Sequence, residues 1–177
     1  MKVIARVFDH YEARTQFRPI LVGGAAVEYY TGGDIVSGGF DVIAPDEPAF
    51  SEAMLANGFQ RENRPGHVLR GWYHDALEIG VELVSGPLFE GRTDHSRIPV
   101  VLVEGSPRVR IPPIEDLIAD RLAQFEASDR RDQEMLNQAH LLFQLAEDVD
   151  SAYLERRISE EGADPALLHV DADSSEP

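Results

Sequence analysis

The sequence predicts an α/β (α+β) chain with a mixed sheet flanked by helices and followed by a C-terminal helical segment. Short apolar runs bounded by glycine and proline recur through the first 111 residues, as strands do. Apolar residues at helical spacing are interleaved with them, and helical spacing takes over after Pro112 and Pro113. The expected division is an α/β domain over 1–111, a helical appendage packed on it over 112–165, and an acidic disordered tail over 166–177.

Each element follows from its residues. Val3, Ile4, Val7, Phe8 and Tyr11 put one apolar face on a helix from Val3 to Thr15, which Pro19 separates from the next element. Ile20-Leu21-Val22 before Gly23 and Gly24 reads as a buried strand ending in a tight turn, and Ala25 to Tyr30 as a short helix closed by Gly32 and Gly33. Phe40 to Ala44 is a second strand with Asp41 inside it; Asp46 then caps a helix carrying Phe50, Met54 and Leu55 that ends at Asn57 and Gly58. His67, Leu69, Trp72 and Tyr73 mark a further strand, turned at His74 and Asp75 into another from Ala76 to Val84. Val100 to Val103 and Val109 to Ile111 complete the strand-like runs. Three helices follow, marked by Ile114, Leu117, Ile118, Leu122 and Phe125, then Leu136, Ala139 and Leu141 to Leu145, then Tyr153, Leu154 and Ile158.

Composition bounds the function. The 177 residues carry 32 acidic and 16 basic side chains, a formal net charge of -16. Such a charge repels phosphate backbones at long range and argues against a general nucleic-acid binder; its plain effect is solubility. The absence of cysteine excludes disulfides and thiolate metal sites and fits a reducing compartment. The opening Met-Lys-Val-Ile-Ala-Arg-Val-Phe-Asp-His is amphipathic rather than basic and then apolar, so no secretion signal is read there. No apolar stretch reaches the ~18 residues of a membrane span. The expected location is the cytoplasm, with no membrane partner.

The stretch that carries chemistry is Gly23-Gly24-Ala25-Ala26 followed by Ser37-Gly38-Gly39-Phe40-Asp41-Val42-Ile43. Glycines let backbone N–H groups approach a triphosphate closely, and a helix start adds favourable partial charge. Carboxylates at alternate positions of a strand point the same way, so two of them can share hard cations such as Mg²⁺, and two such ions clamp the attacking and leaving oxygens in nucleotidyl transfer.

This stretch resembles the start of the nucleotidyltransferase superfamily, the polymerase-beta-like fold. There a Gly-Gly or Gly-Ser at a helix start holds the nucleotide phosphates, and Ser or Thr precedes an Asp-x-Asp pair on the next strand. The resemblance implies Gly23, Gly24 and Ser37 as nucleotide-binding residues and Asp41 as a catalytic, metal-binding carboxylate. It implies Mg²⁺ or Mn²⁺ as cofactor and a nucleoside triphosphate as substrate. One departure matters: with Asp41 as the second acid, Gly39 stands where the first should be. Asp34 lies too early and Asp46 lies beyond Pro45, so neither repairs the spacing. The family's third acid sits on a later strand, where Glu82 is the choice, since alternation sets it opposite Val81 and Leu83; Glu78 is the runner-up. Both also fit as outward-facing residues of a half-exposed strand. A looser likeness runs from Ile111 to Leu122 and on to Arg130, Arg131 and Asp132, similar to the helical part of small bacterial nucleotidyltransferase-like proteins, including abortive-infection and toxin-antitoxin relatives.

Other signals read as packing. The dinucleotide-binding Gly-x-Gly-x-x-Gly is absent after the first strand. His10, His67, His74, His95, His140 and His169 form no helical pair at metal-ligand spacing, and Ser37, Ser51 and Ser85 lack the Gly-x-Ser-x-Gly setting of a nucleophile. Trp72 and Tyr73, near Arg70 and His67, read as sheet packing rather than a base-stacking pocket. Arg121, Arg130 and Arg131 read as exposed ion pairs rather than phosphate ligands. Two readings result: an enzyme transferring a nucleotidyl group to a protein, RNA or small-molecule acceptor, and a non-catalytic binding or regulatory module that keeps the fold. A homo-oligomer or a protein partner fits either one.

Overall fold

The computed structural model describes residues 1–61, 71–103 and 108–169. Helix α1 spans Lys2–Thr15 and buries Val3, Ile4, Val7, Phe8 and Tyr11, the face its spacing predicts. Strand β1 (Ile20–Val22) leads without a break into helix α2 (Gly23–Tyr30), and strand β2 (Phe40–Ile43) is followed, after Ala44, Pro45 and Asp46, by helix α3 (Glu47–Ala56). The Asp46 carboxylate accepts from the backbone N–H of Ala49 at 2.9 Å, which is the expected cap. The Tyr11 hydroxyl accepts from the Asp46 N–H at 2.9 Å and ties α1 to the start of α3.

Strands β3 (Gln60–Arg61), β4 (Gly71–His74), β5 (Ile79–Leu83), β6 (Val100–Leu102) and β7 (Arg108–Arg110) complete a mixed sheet in the order β3-β4-β5-β2-β1-β7-β6. The two-residue strand β3 has no alternating pattern, and its pairing with β4 is what defines it. The expected strand over Ala76 to Val84 starts later, at Ile79, because residues 75–78 form the turn and Glu78 takes a left-handed φ of 53° there. Of the strand expected from His67, Leu69, Trp72 and Tyr73, only the part from Gly71 lies within the described residues.

Pairing gives the two sheet faces different characters. β1 runs antiparallel to β2 with Leu21 opposite Val42, and β2 runs parallel to β5 with Val42 opposite Leu83. Leu21, Val42, Val81, Trp72 and Val109 therefore share one face, where they join α1 and α3 in the main core. Phe50 meets Trp72 edge to face, with ring centroids 5.2 Å apart. The other face presents Ile20, Val22, Asp41, Ile43 and Glu82, and Leu88 and Ile98 cover its Ile20–Val22–Ile43 part.

Helices α4 (Ile114–Ala127), α5 (Gln133–Leu145) and α6 (Ser151–Glu160) form the C-terminal segment. Their Leu117, Ile118, Leu122, Ala139, Leu142, Leu154 and Ile158 belong to the same core as the sheet. Pro165–His169 form a 3₁₀ turn with Leu167 buried, and the rest of the acidic tail lies outside the described residues. Among the described residues no helix is long and apolar enough to cross a membrane.

Candidate functional site

Sheet register brings Asp41 and Glu82 together. They are direct partners on the adjacent parallel strands β2 and β5, so both side chains leave the same face of the sheet. Val22, the last residue of β1, lies opposite Asp41 on the other side. The chain turns at Gly23, next to the Asp41 carboxylate.

That turn needs glycine for two reasons. Gly23 has a φ of +62°, and a Cβ built there would sit 2.3 Å from Asp41 Oδ2. Gly24, the next residue, would place a Cβ 3.2 Å from Ser37 Oγ. Helix α2 thus begins against both side chains, with no side-chain cap and no acidic residue in its first turn, leaving its positive end suited to an anion. Gly23→Ala is expected to combine about 1–2 kcal/mol of left-handed strain with displacement of the Asp41 carboxylate. It should lower the melting temperature, readable by thermal unfolding.

Ser37 is held by the loop that joins α2 to β2. Its N–H donates to Glu28 Oε2 at 2.8 Å, its hydroxyl donates to the Gly39 carbonyl, and its Oγ accepts from the Gly39 N–H at 3.2 Å. The hydroxyl proton is engaged within the loop, so Ser37 shapes the wall beside Gly24 as much as it offers a donor.

Gly24, Ser37, Gly39, Asp41, Gly80 and Glu82 line one cleft of about 470 Å³. Gly39 and Gly80 lie just before Phe40 and Val81, which are partners, so two glycines floor the cleft beside the acid pair. Helix α5 supplies the facing residues Glu134 and Gln138, absent from the sequence-based set. Gln138 is buried and its Nε2 donates to Glu134 Oε1 at 3.1 Å. Asp41, Glu82 and Glu134 give the lining three carboxylates, and no Lys, Arg or His is among the lining residues.

Electrostatics agree with a site that wants a cation. Burial pushes the Asp41 pKa above its ordinary value, the Glu82 charge raises it further, and only Arg121 opposes the shift. Arg121 corrects the expectation of an exposed ion pair: it is 6% exposed, its Nε has no partner among the described residues, and Asp120 lies 3.5 Å from its Nη1. Its apolar neighbours on α4 hold it inside, a fixed positive charge near Asp41. Arg130 and Arg131 do pair at the surface, with Glu126 and Asp129. Mg²⁺ is commonly held by one or two carboxylates plus substrate phosphates, and Asp41 with Glu82 fits that donor set. Among the described residues no three His, Asp or Glu side chains converge as a metal cage, so phosphate oxygens and water would complete the shell.

The remaining candidates lie elsewhere. Glu78 is exposed in the β4–β5 turn and is absent from the cleft lining. Trp72 is fully buried in the core, which excludes it from stacking on a ligand base.

Comparison with protein-family models gives no match, and comparison with curated proteins gives none. Solved structures do match. One is the solution structure of the antibiotic-resistance factor ANT(2'')-Ia, with a TM-score of 0.57 at 13% identity over 90% of this chain and 89% of that one. Another is the crystal structure of ANT(2'')-Ia in complex with adenylyl-2''-tobramycin, with a TM-score of 0.56 at 11% identity over 90% of this chain and 95% of that one. With this likeness over nearly the whole of both chains, the chain shares the fold of ANT(2'')-Ia, consistent with a nucleotidyltransferase-like fold.

Proposed function

We propose that this chain transfers a nucleoside monophosphate from a nucleoside triphosphate to an acceptor hydroxyl, with Asp41 and Glu82 holding Mg²⁺ and Gly23, Gly24 and Ser37 lining the phosphate site. The observation that carries this reading is the register pairing of Asp41 with Glu82 on a face that opens at the uncapped start of α2. Mg²⁺ would supply charge neutralisation for the triphosphate and the departing pyrophosphate. The chain's own groups orient the substrate. First-turn amides of α2 align the phosphates, the Gly39–Gly80 floor leaves room beside the acids, and Arg121 favours the ionised form of Asp41.

In this reading residues 1–111 supply the nucleotide site and 112–165 supply the acceptor wall through Glu134. A polycationic amino sugar is the acceptor class we favour. The three carboxylates of the cleft complement its charge, and the similarly folded ANT(2'')-Ia is seen with adenylylated tobramycin. Incubation of labelled ATP, GTP, CTP and UTP with Mg²⁺ and tobramycin-like amino sugars should give a labelled, magnesium-dependent product. Label migrating with added protein or RNA would select the acceptor class of an abortive-infection or toxin-antitoxin role. No product with any nucleotide and acceptor would count against transfer altogether.

Gly39 favours a second reading, a non-catalytic module that binds nucleotide for regulation. A Cβ at Gly39 would meet the Gly80 carbonyl oxygen at 3.5 Å, an ordinary contact, so the backbone there admits a side chain's first carbon. If the missing carboxylate limits an enzyme, Gly39→Asp should raise turnover on the order of a thousandfold, since a metal ligand contributes several kcal/mol at such a centre. A variant that binds Mg²⁺-nucleotide but still transfers nothing selects the module.

A further inference from the structure

A second cavity, of about 740 Å³, lies where β2 and β5 end and β1 begins, at the opposite end of these strands from the Gly23 turn. Its volume is within the ~300–1,000 Å³ typical of small-molecule sites. Ile20, Ile43, Leu83, Val84 and Leu88 make its walls apolar, and Phe17 stands at it 67% exposed. Its ring is open to contact by an occupant of the hollow.

The charged groups of this cavity do not cancel. The Arg18 guanidinium is fully engaged: its Nε donates to Glu12 Oε2 at 2.9 Å, its Nη2 to Asp9 and its Nη1 to the Arg108 carbonyl. The one carboxylate in the lining, Glu47, is paired with Arg61 Nη2 at 2.7 Å. Arg110 remains. It ends β7 level with Ile20, is half-buried, and has no ion pair or side-chain hydrogen bond among the described residues. An uncompensated guanidinium beside apolar walls has five donors and calls for an acceptor such as a carboxylate, which it can bind through two parallel hydrogen bonds. This preference is the reverse of that of the acid cleft.

We propose that this cavity binds a small apolar molecule bearing a carboxylate, an aryl carboxylate by preference, with Arg110 as the partner of the head group. Nothing in this proposal depends on nucleotidyl transfer. Calorimetric titration of the full chain with 2-naphthoate, and separately with 2-naphthylmethylamine, tests it. The carboxylate should bind and the amine should not. Arg110→Met keeps the apolar stem and should weaken naphthoate binding about tenfold or more, the scale of a lost charged hydrogen bond. Val84→Trp, at a 40% exposed position of the lining, should fill the hollow and abolish binding without disturbing the core. The proposal is overturned if naphthoate fails to bind the wild-type chain, if the amine binds as well, or if either variant binds naphthoate unchanged.

Discussion

Asp41→Asn is expected to lower magnesium-dependent nucleotidyl transfer on the order of a thousandfold while raising the melting temperature of the metal-free protein. The two effects have one cause. Asp41 lies beside Glu82 in a partly buried position, so its ionised form is disfavoured by desolvation and by a like charge, and Arg121 offsets only part of this. Its pKa is raised on folding, so the folded state binds the proton more tightly than the unfolded one. Ionisation therefore opposes folding above the folded pKa, and this cost fades as pH falls, vanishing below the ordinary value of 3.8. The asparagine variant should show its stability advantage at pH 7 and lose it toward that value in a pH series of thermal unfolding. In the proposed reading the same substitution removes a metal carboxylate, and several kcal/mol of transition-state stabilisation correspond to a thousandfold in rate. An unchanged rate, or a variant less stable than wild type at pH 7, would contradict this assignment.

Arg157→Met is expected to destabilise the fold by about 3–5 kcal/mol, the usual effect of removing one partner from a buried ion pair. The side chains of Arg157 and Asp116 are fully buried and directly bonded to each other, joining α6 to α4. Glu160 and Glu161 take the other guanidinium nitrogens at 2.7 and 2.5 Å, and the Tyr153 hydroxyl donates to Asp116 at 3.0 Å. Methionine fills much of the space but leaves Asp116 buried with Tyr153 as its remaining side-chain partner. The double variant Arg157→Met/Asp116→Leu removes both charges and should recover most of the loss, since a well-packed apolar pair can replace a buried ion pair. Urea denaturation of wild type and the two variants measures it. Near-equal stability of the single variant and wild type would show that the network does not hold the helices together.

The parts of the fold that were legible in the sequence are those fixed by neighbours in the chain. Ile20-Leu21-Val22 before two glycines reads as a strand and its end, although helix α2 starts at Gly23 itself rather than at Ala25, and Asp46 before an apolar helix is a local cap. The pair Asp41 and Glu82 was reachable because strand alternation sets the face of each side chain, although only the sheet shows that they are partners. Glu134 was not reachable, because a lone exposed acid in the first turn of α5 looks like an ordinary helix-dipole residue, and only packing carries it across the cleft. Arg121 carries a signal in the sequence: it falls three and four residues from Leu117, Ile118 and Phe125, on the buried stripe of α4. Asp116 left none, since its partners Tyr153 and Arg157 come from another helix.

Calorimetric titration of a non-hydrolysable ATP, with and without Mg²⁺, into wild type and Glu82→Gln is the most direct measurement of whether the paired carboxylates hold a metal–nucleotide complex. GTP, CTP and UTP analogues should be run beside it. Binding to wild type that requires Mg²⁺, and that Glu82→Gln weakens at least about tenfold, is the result expected. Binding that is indifferent to Mg²⁺ and to Glu82, or no binding of any of the four nucleotides, would contradict the assignment of this cleft.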